Sequence, residues 1–196
     1  MGVPQKALAY IQPDEYLALE ERAVTKHEYL GGAIYAWQGC GPQAMAGGSK
    51  EHNRICGNLY VALRAQLRGS PCRTYMTDVR LHVEAANAYF YPDVAVTCAE
   101  ADRSDAGADR LQIREPVLVV EVLSDSTEAF DRGEKFEACR RIDSLREYVL
   151  VPPKGRPVEV FRRGPDGWDQ QLFAGGALEL TSLGVRIPLE AIYEDV

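Results

Sequence analysis

At 196 residues, with 46% hydrophobic and 26% charged side chains, the chain is long enough for one domain with a substantial core, spanning residues 1–196, and too short for two. Its formal net charge of −7 argues against a strongly basic nucleic-acid coat protein, although metal-binding carboxylates add to that sum and contact with nucleic acid depends on local patches. No basic-then-apolar leader opens the sequence, and the longest apolar runs, such as Val117 to Val122, are too short to cross a bilayer, so a cytoplasmic protein with no membrane association is expected.

In chain order, Pro13, Asp14 and Glu15 open a short helix to about Arg22, because proline and acids suit a first helical turn. Residues Glu28 to Trp37 read as a hairpin with Gly31 and Gly32 at its turn. Ser49 starts the clearest helix: Ile55, Leu59, Leu63 and Leu67 recur every four residues as one apolar stripe, and Gly69 with Pro71 ends it. Thr74 to Glu84, Tyr89 to Thr97 and Pro116 to Ser124 read as three strands, with a polar surface loop over Ala99 to Arg114. A helix is expected from Thr127 to about Arg141, capped by Ser126 or Thr127. Strands follow at Glu147 to Val151, Val158 to Arg162 and Trp168 to Phe173, with turns at Gly155 and Pro165 to Gly167, and a last short helix over Pro188 to Tyr193. This order predicts mixed α and β structure around a single sheet. The five cysteines, Cys40, Cys56, Cys72, Cys98 and Cys139, are odd in number and widely spaced, so buried reduced thiols are expected rather than a disulfide framework or structural zinc.

Three residues carry the chemistry. Glu121 is flanked by Leu118, Val119, Val120, Val122 and Leu123, so its strand is covered on both faces. A carboxylate there costs several kcal/mol to bury, and such groups persist when paired or when they bind a metal. Pairing with a surface arginine at the strand end is the plain alternative. Asp93 follows Pro92 at the head of another apolar strand, a pattern that also marks an ordinary strand entrance. Lys135 lies on the following helix, where most lysines are simply solvated; beside two carboxylates an ammonium can hold a water or stabilise charge on a phosphate. His52, fourth residue of the Ser49 helix start, reads as a local structural residue or as one that reaches a phosphate or the attacking water. His27 and His82 have no evident partner.

Taken together, Pro92-Asp93, the run Glu121 to Thr127, the run Asp131 to Phe136 and the run Leu145 to Val151 resemble the Uma family of restriction endonucleases, in the PD-(D/E)XK superfamily. The Tyr16-Leu17 helix, Glu28 to Gly32, Ser49 with His52, and Asp78 to Leu81 fit the same family, so the resemblance covers nearly the whole chain. It implies an α/β (α+β) restriction-endonuclease-like core, a mixed β-sheet flanked by helices. It also implies a Mg²⁺-dependent endonuclease acting on DNA, Mn²⁺ substituting, with oxygen ligands selecting these ions. By this resemblance Asp93, Glu121 and the Val122 carbonyl hold the metal, Lys135 orients water or stabilises the transition state, and Glu28 assists as a supporting or second-metal ligand. The superfamily places its lysine two residues after the acid, where this chain has Leu123, and the resemblance implies that Lys135 is the migrated equivalent. Cys139 and Pro152 stand where the family usually has Tyr and Asp. A homodimer would suit cleavage of both strands. Two other readings stay open: a catalytically silent nuclease-fold module that binds nucleic acid or protein, and a purely structural buried ion network.

Overall fold

The computed structural model describes residues 10–36, 49–103 and 110–196. Helix α1 (Pro13–Glu20) is followed by the hairpin β1 (His27–Leu30) and β2 (Ala33–Ala36). Gly32 sits at φ +95°, a conformation that strains any side chain, and the Tyr10 ring packs over it. Trp37, the last residue of the expected hairpin, lies outside the described residues. Helix α2 (Lys50–Gln66) begins where Ser49 Oγ accepts the His52 N–H, and all four residues of its predicted stripe are buried.

The next two expected strands each divide. Residues 74–84 form β3 (Arg73–Met76) and β4 (Arg80–Val83), and residues 89–97 form β5 (Ala88–Phe90) and β6 (Val94–Thr97). Thr77, at φ +37°, turns the first segment, and Pro92, which has no N–H to give a ladder, sits at the break in the second. The expected loop over 99–114 is also partly ordered, with a 3-10 turn at Ala101–Arg103 and the short strand β7 (Gln112–Ile113). Asp102 accounts for this order: its carboxylate accepts the N–H groups of Arg114 and Glu115 at 2.8 and 2.9 Å.

Strand β8 (Pro116–Val122) leads to two short helices rather than one, α3 (Glu128–Arg132) and α4 (Glu134–Cys139). Gly133 separates them in a non-helical conformation, where a Cβ would come within 2.9 Å of the Ala129 carbonyl oxygen. Strands β9 (Glu147–Val151), β10 (Val158–Gly164) and β11 (Gly167–Phe173) form as expected. The hairpin β12 (Ala177–Leu180) and β13 (Val185–Pro188) was not expected, and helix α5 (Leu189–Ile192) closes the chain.

These strands form three sheets where one was expected. One has the order β2-β1-β5-β4-β7, a second β11-β10-β9-β8-β6-β3, and the third pairs β12 with β13. Most neighbours are antiparallel; β4–β7 and β8–β9 are parallel. On the six-stranded sheet, Leu118, Val120 and Val122 face α2, with Val94, Val96, Val149 and Val151 beside them. Alternation sends Val119 and Leu123 to the other face, against Phe136, Ala138 and Cys139 of α4 and the five-stranded sheet. Glu121 shares that second parity. Glu147, at the head of β9, is fully enclosed: its carboxylate takes Arg162 Nε at 2.7 Å and the N–H groups of Thr181 and Ser182 at 3.1 and 3.2 Å.

One cysteine expectation is overturned. Cys72 and Cys98 form a disulfide, because β3 and β6 pair antiparallel with Arg73 opposite Thr97, which sets the two flanking cysteines face to face. A cross-strand pair of this kind leaves no spacing signature. With five cysteines in all, thiol titration of the denatured, unreduced chain is expected to give three equivalents and, after reduction, five. Reduction should cost about 3.5 kcal/mol of stability for a bridge spanning 26 residues. Five equivalents before reduction would contradict the bridge.

Candidate active site

The chemistry-bearing side chains meet at the seam between the two larger sheets. Glu28 comes from β1 in the five-stranded sheet, Glu121 from β8 in the six-stranded one, and Asp93 from the crossing between β5 and β6. The break at Gly133 leaves Asp131 at the end of α3 and Lys135 at the start of α4, both turned inward and buried.

Lys135 Nζ lies 2.9 Å from Glu28 Oε1, 3.0 Å from Glu121 Oε1 and 3.6 Å from Asp131 Oδ1. Its side chain is 4% exposed, so these contacts are not screened by bulk water. Asp93 is held differently. Its Oδ2 accepts the Val122 N–H at 2.8 Å, and its Oδ1 lies 3.1 Å from His52 Nε2. The Asp93 N–H reaches Glu121 Oε2 at 3.4 Å, which links the two carboxylates through backbone. Glu28 Oε1 also accepts the Tyr91 N–H at 2.9 Å.

The electrostatics are unbalanced. Four buried carboxylates, Glu28, Asp93, Glu121 and Asp131, gather around one lysine and one histidine. Burial pushes Glu121 well above the usual carboxylate range, with Lys135 opposing, and burial likewise raises Asp131. Burial by itself would lower Lys135, but Glu121, Glu28 and Asp131 outweigh it and hold the ammonium well above an ordinary lysine. Burial also works against a charged His52, yet Asp93 more than compensates and raises it. Glu121 Oε1 is buried with no aligned hydrogen bond; the Lys135 ammonium lies 3.0 Å away, and Asp131, Asp93 and Glu28 add like charge around it. A surplus of negative charge with an under-satisfied oxygen fits a divalent cation, and the oxygen donors suit a hard one.

The Uma2 family model, described as "Putative restriction endonuclease", matches residues 13–190. The chain belongs to the Uma2 family. Two uncharacterized Synechocystis proteins are similar to it: slr1290 is 36% identical over 192 residues, covering 97% of this chain and 95% of the relative. The other, sll1609, is 34% identical over 152 residues, covering 78% and 80%. A crystal structure described as a "putative nuclease belonging to DUF820", from Anabaena variabilis, has a TM-score of 0.74 at 16% identity and covers 93% of this chain and 97% of that one. At that identity it shows the shared fold, mixed sheets flanked by helices.

Within this Uma2 chain, Glu28, Glu121 and Lys135 form one cluster, and Asp93 joins it through backbone rather than through Lys135. Leu123, two residues after Glu121, is buried in the core on the α4 side, and the Lys135 ammonium reaches Glu121 from α4 instead. Sequence reasoning gave no role to Asp131, although its i, i+4 spacing to Lys135 on a helix was visible. It also missed Glu20, which accepts the His27 N–H and the Tyr91 hydroxyl at 3.0 Å each and lies 3.1 Å from His27 Nδ1. His27 thus has a partner, and His82 stacks on Tyr89 with ring centroids 4.4 Å apart. No helix of the described residues is long and apolar enough to cross a membrane.

Proposed function

We propose that this protein is a Mg²⁺-dependent endonuclease that hydrolyses phosphodiester bonds in DNA. The observation that carries the reading is the buried cluster of Glu28, Glu121 and Asp131 around the single ammonium of Lys135, with Asp93 adjoining it through backbone. Asp93, Glu121 and the Val122 carbonyl would hold Mg²⁺ or Mn²⁺, which when bound neutralises phosphate charge and lowers the pKa of a water. Lys135 is kept protonated by its three carboxylates, so it donates hydrogen bonds to developing negative charge and does not serve as a base. Glu28 and Asp131 fix the ammonium, and Glu28 is itself fixed by the Tyr91 N–H. His52 orients Asp93.

The overall acidity is locally reversed at the far end of α2, where Arg64, Arg68 and Arg73 line a cavity of about 520 Å³ suited to phosphate oxygens. Cleavage of both strands would engage two copies of the chain. The net charge of −7 favours a second reading, a silent nuclease-fold binding module. The test is incubation with supercoiled and linear DNA in Mg²⁺, Mn²⁺ or chelator. Metal-dependent nicking that disappears in Asp93→Ala supports the nuclease; no cleavage, with no Mn²⁺ binding by calorimetry, overturns it.

A further inference from the structure

A second set of ligands adjoins the carboxylate cluster on the α2 side. His52 and Cys56 are one helical turn apart on α2, so both project toward the same neighbour, which here is Asp93. One ligand atom from each of His52, Cys56 and Asp93 lies within 4.8 Å of the others. His52 Nδ1 is buried without a hydrogen-bond partner, and Cys56 stands outside the disulfide. A cavity of about 290 Å³, lined by His52, Asn53, Cys56, Met76 and Thr77 among others, opens beside them and gives water and ions a route in.

The donors differ in kind from those around Lys135. Imidazole and thiolate favour borderline-soft ions of the zinc and cobalt class, whereas carboxylates and carbonyls favour magnesium. Three protein ligands with an open fourth side match the pattern of a tetrahedral site that keeps one exchangeable position.

We propose that His52, Cys56 and Asp93 bind a Zn²⁺-class ion, with a water or other small ligand in the fourth position facing the cavity. On binding, the Cys56 thiol releases its proton to solvent and the sulfur ligates as thiolate. This site adjoins the proposed hard-ion site: both use Asp93, and the His52 ring also reaches the Val122 backbone. An ion held here draws Asp93 toward α2, so zinc competes with magnesium and holds the proposed nuclease inactive.

The probe is Co²⁺, added to the oxidised protein without reductant. One equivalent is expected to give a sulfur-to-cobalt charge-transfer band that persists in Cys40→Ser and in Glu121→Gln and is lost in Cys56→Ser. Zn²⁺ affinity should fall at least tenfold in Cys56→Ser. X-ray absorption on the Zn²⁺-loaded wild-type chain removes any dependence on how a variant folds: one sulfur neighbour among nitrogen and oxygen is expected. Absence of the band in the wild type, its survival in Cys56→Ser, or a zinc shell without sulfur overturns the proposal. Lost cleavage in Mg²⁺ with the cobalt band intact would instead count against the nuclease reading alone.

Discussion

Replacing Lys135 by methionine is expected to destabilise the protein by about 3–5 kcal/mol at pH 8, the cost of leaving buried carboxylates without their cation. For a chain of this size that is a fall in melting temperature of about 6–20 °C. The loss should depend on pH in a defined direction. Glu121 and Asp131 already sit above their ordinary values because they are buried, and removing Lys135 raises them further. A carboxyl raised in the folded state supports folding fully below its unfolded value, near pH 4, and that support is lost as pH rises through the folded value. The difference between wild type and Lys135→Met should therefore be small near pH 4 and widen through neutrality. A gap equal at both ends would mean that Lys135 acts by packing, not charge.

Glu121→Gln should separate stability from activity. The substitution keeps shape and removes a charge whose burial is unfavourable, while Lys135 keeps Glu28 and Asp131 as partners. The variant is expected to melt at or above the wild-type temperature at pH 8. Its metal-dependent cleavage should fall by about 10²–10³-fold or more, the scale of losing one preorganised electrostatic group. It should also lose metal stabilisation. Mn²⁺ at a hundredfold excess over its dissociation constant contributes about 2.7 kcal/mol to the wild type, or about 5–11 °C. A Glu121→Gln protein that melts well below wild type would mean that the Glu121 charge is net stabilising, and one that still gains stability from Mn²⁺ would place the ion elsewhere.

The parts of the fold governed by local periodicity were legible. The stripe from Ile55 to Leu67 is buried as its spacing demands, and the hairpin glycines Gly31 and Gly32 sit at positive φ. What misled was non-local. Nothing in residues 74–84 or 89–97 tells a strand that crosses between sheets from one that stays in place, beyond Pro92. Gly133 could have passed for a tolerated helix glycine, because the clash that forbids a side chain comes from the backbone of Ala129. The hairpin of β12 and β13 was in fact visible, since Leu178, Leu180, Val185 and Ile187 alternate inward around a glycine turn. At the site, the apolar run around Glu121 flagged an expensive carboxylate. The meeting of Glu28 with Lys135, 107 residues apart, could come only from family resemblance or from coordinates.

The placement of the cluster at the seam of two sheets also bears on how the chain folds. Asp93 and Glu121 already meet across the paired strands β6 and β8, but Glu28 stands on the other sheet and far from Lys135 in sequence. Closing the loop between Glu28 and Lys135 costs entropy that is recovered only when both sheets dock, so that contact is expected to form late. A nascent or half-folded copy therefore has its strands and helices before it has a working centre. If the proposed cleavage of DNA is its activity, that order of events is a safeguard: cutting waits for completion.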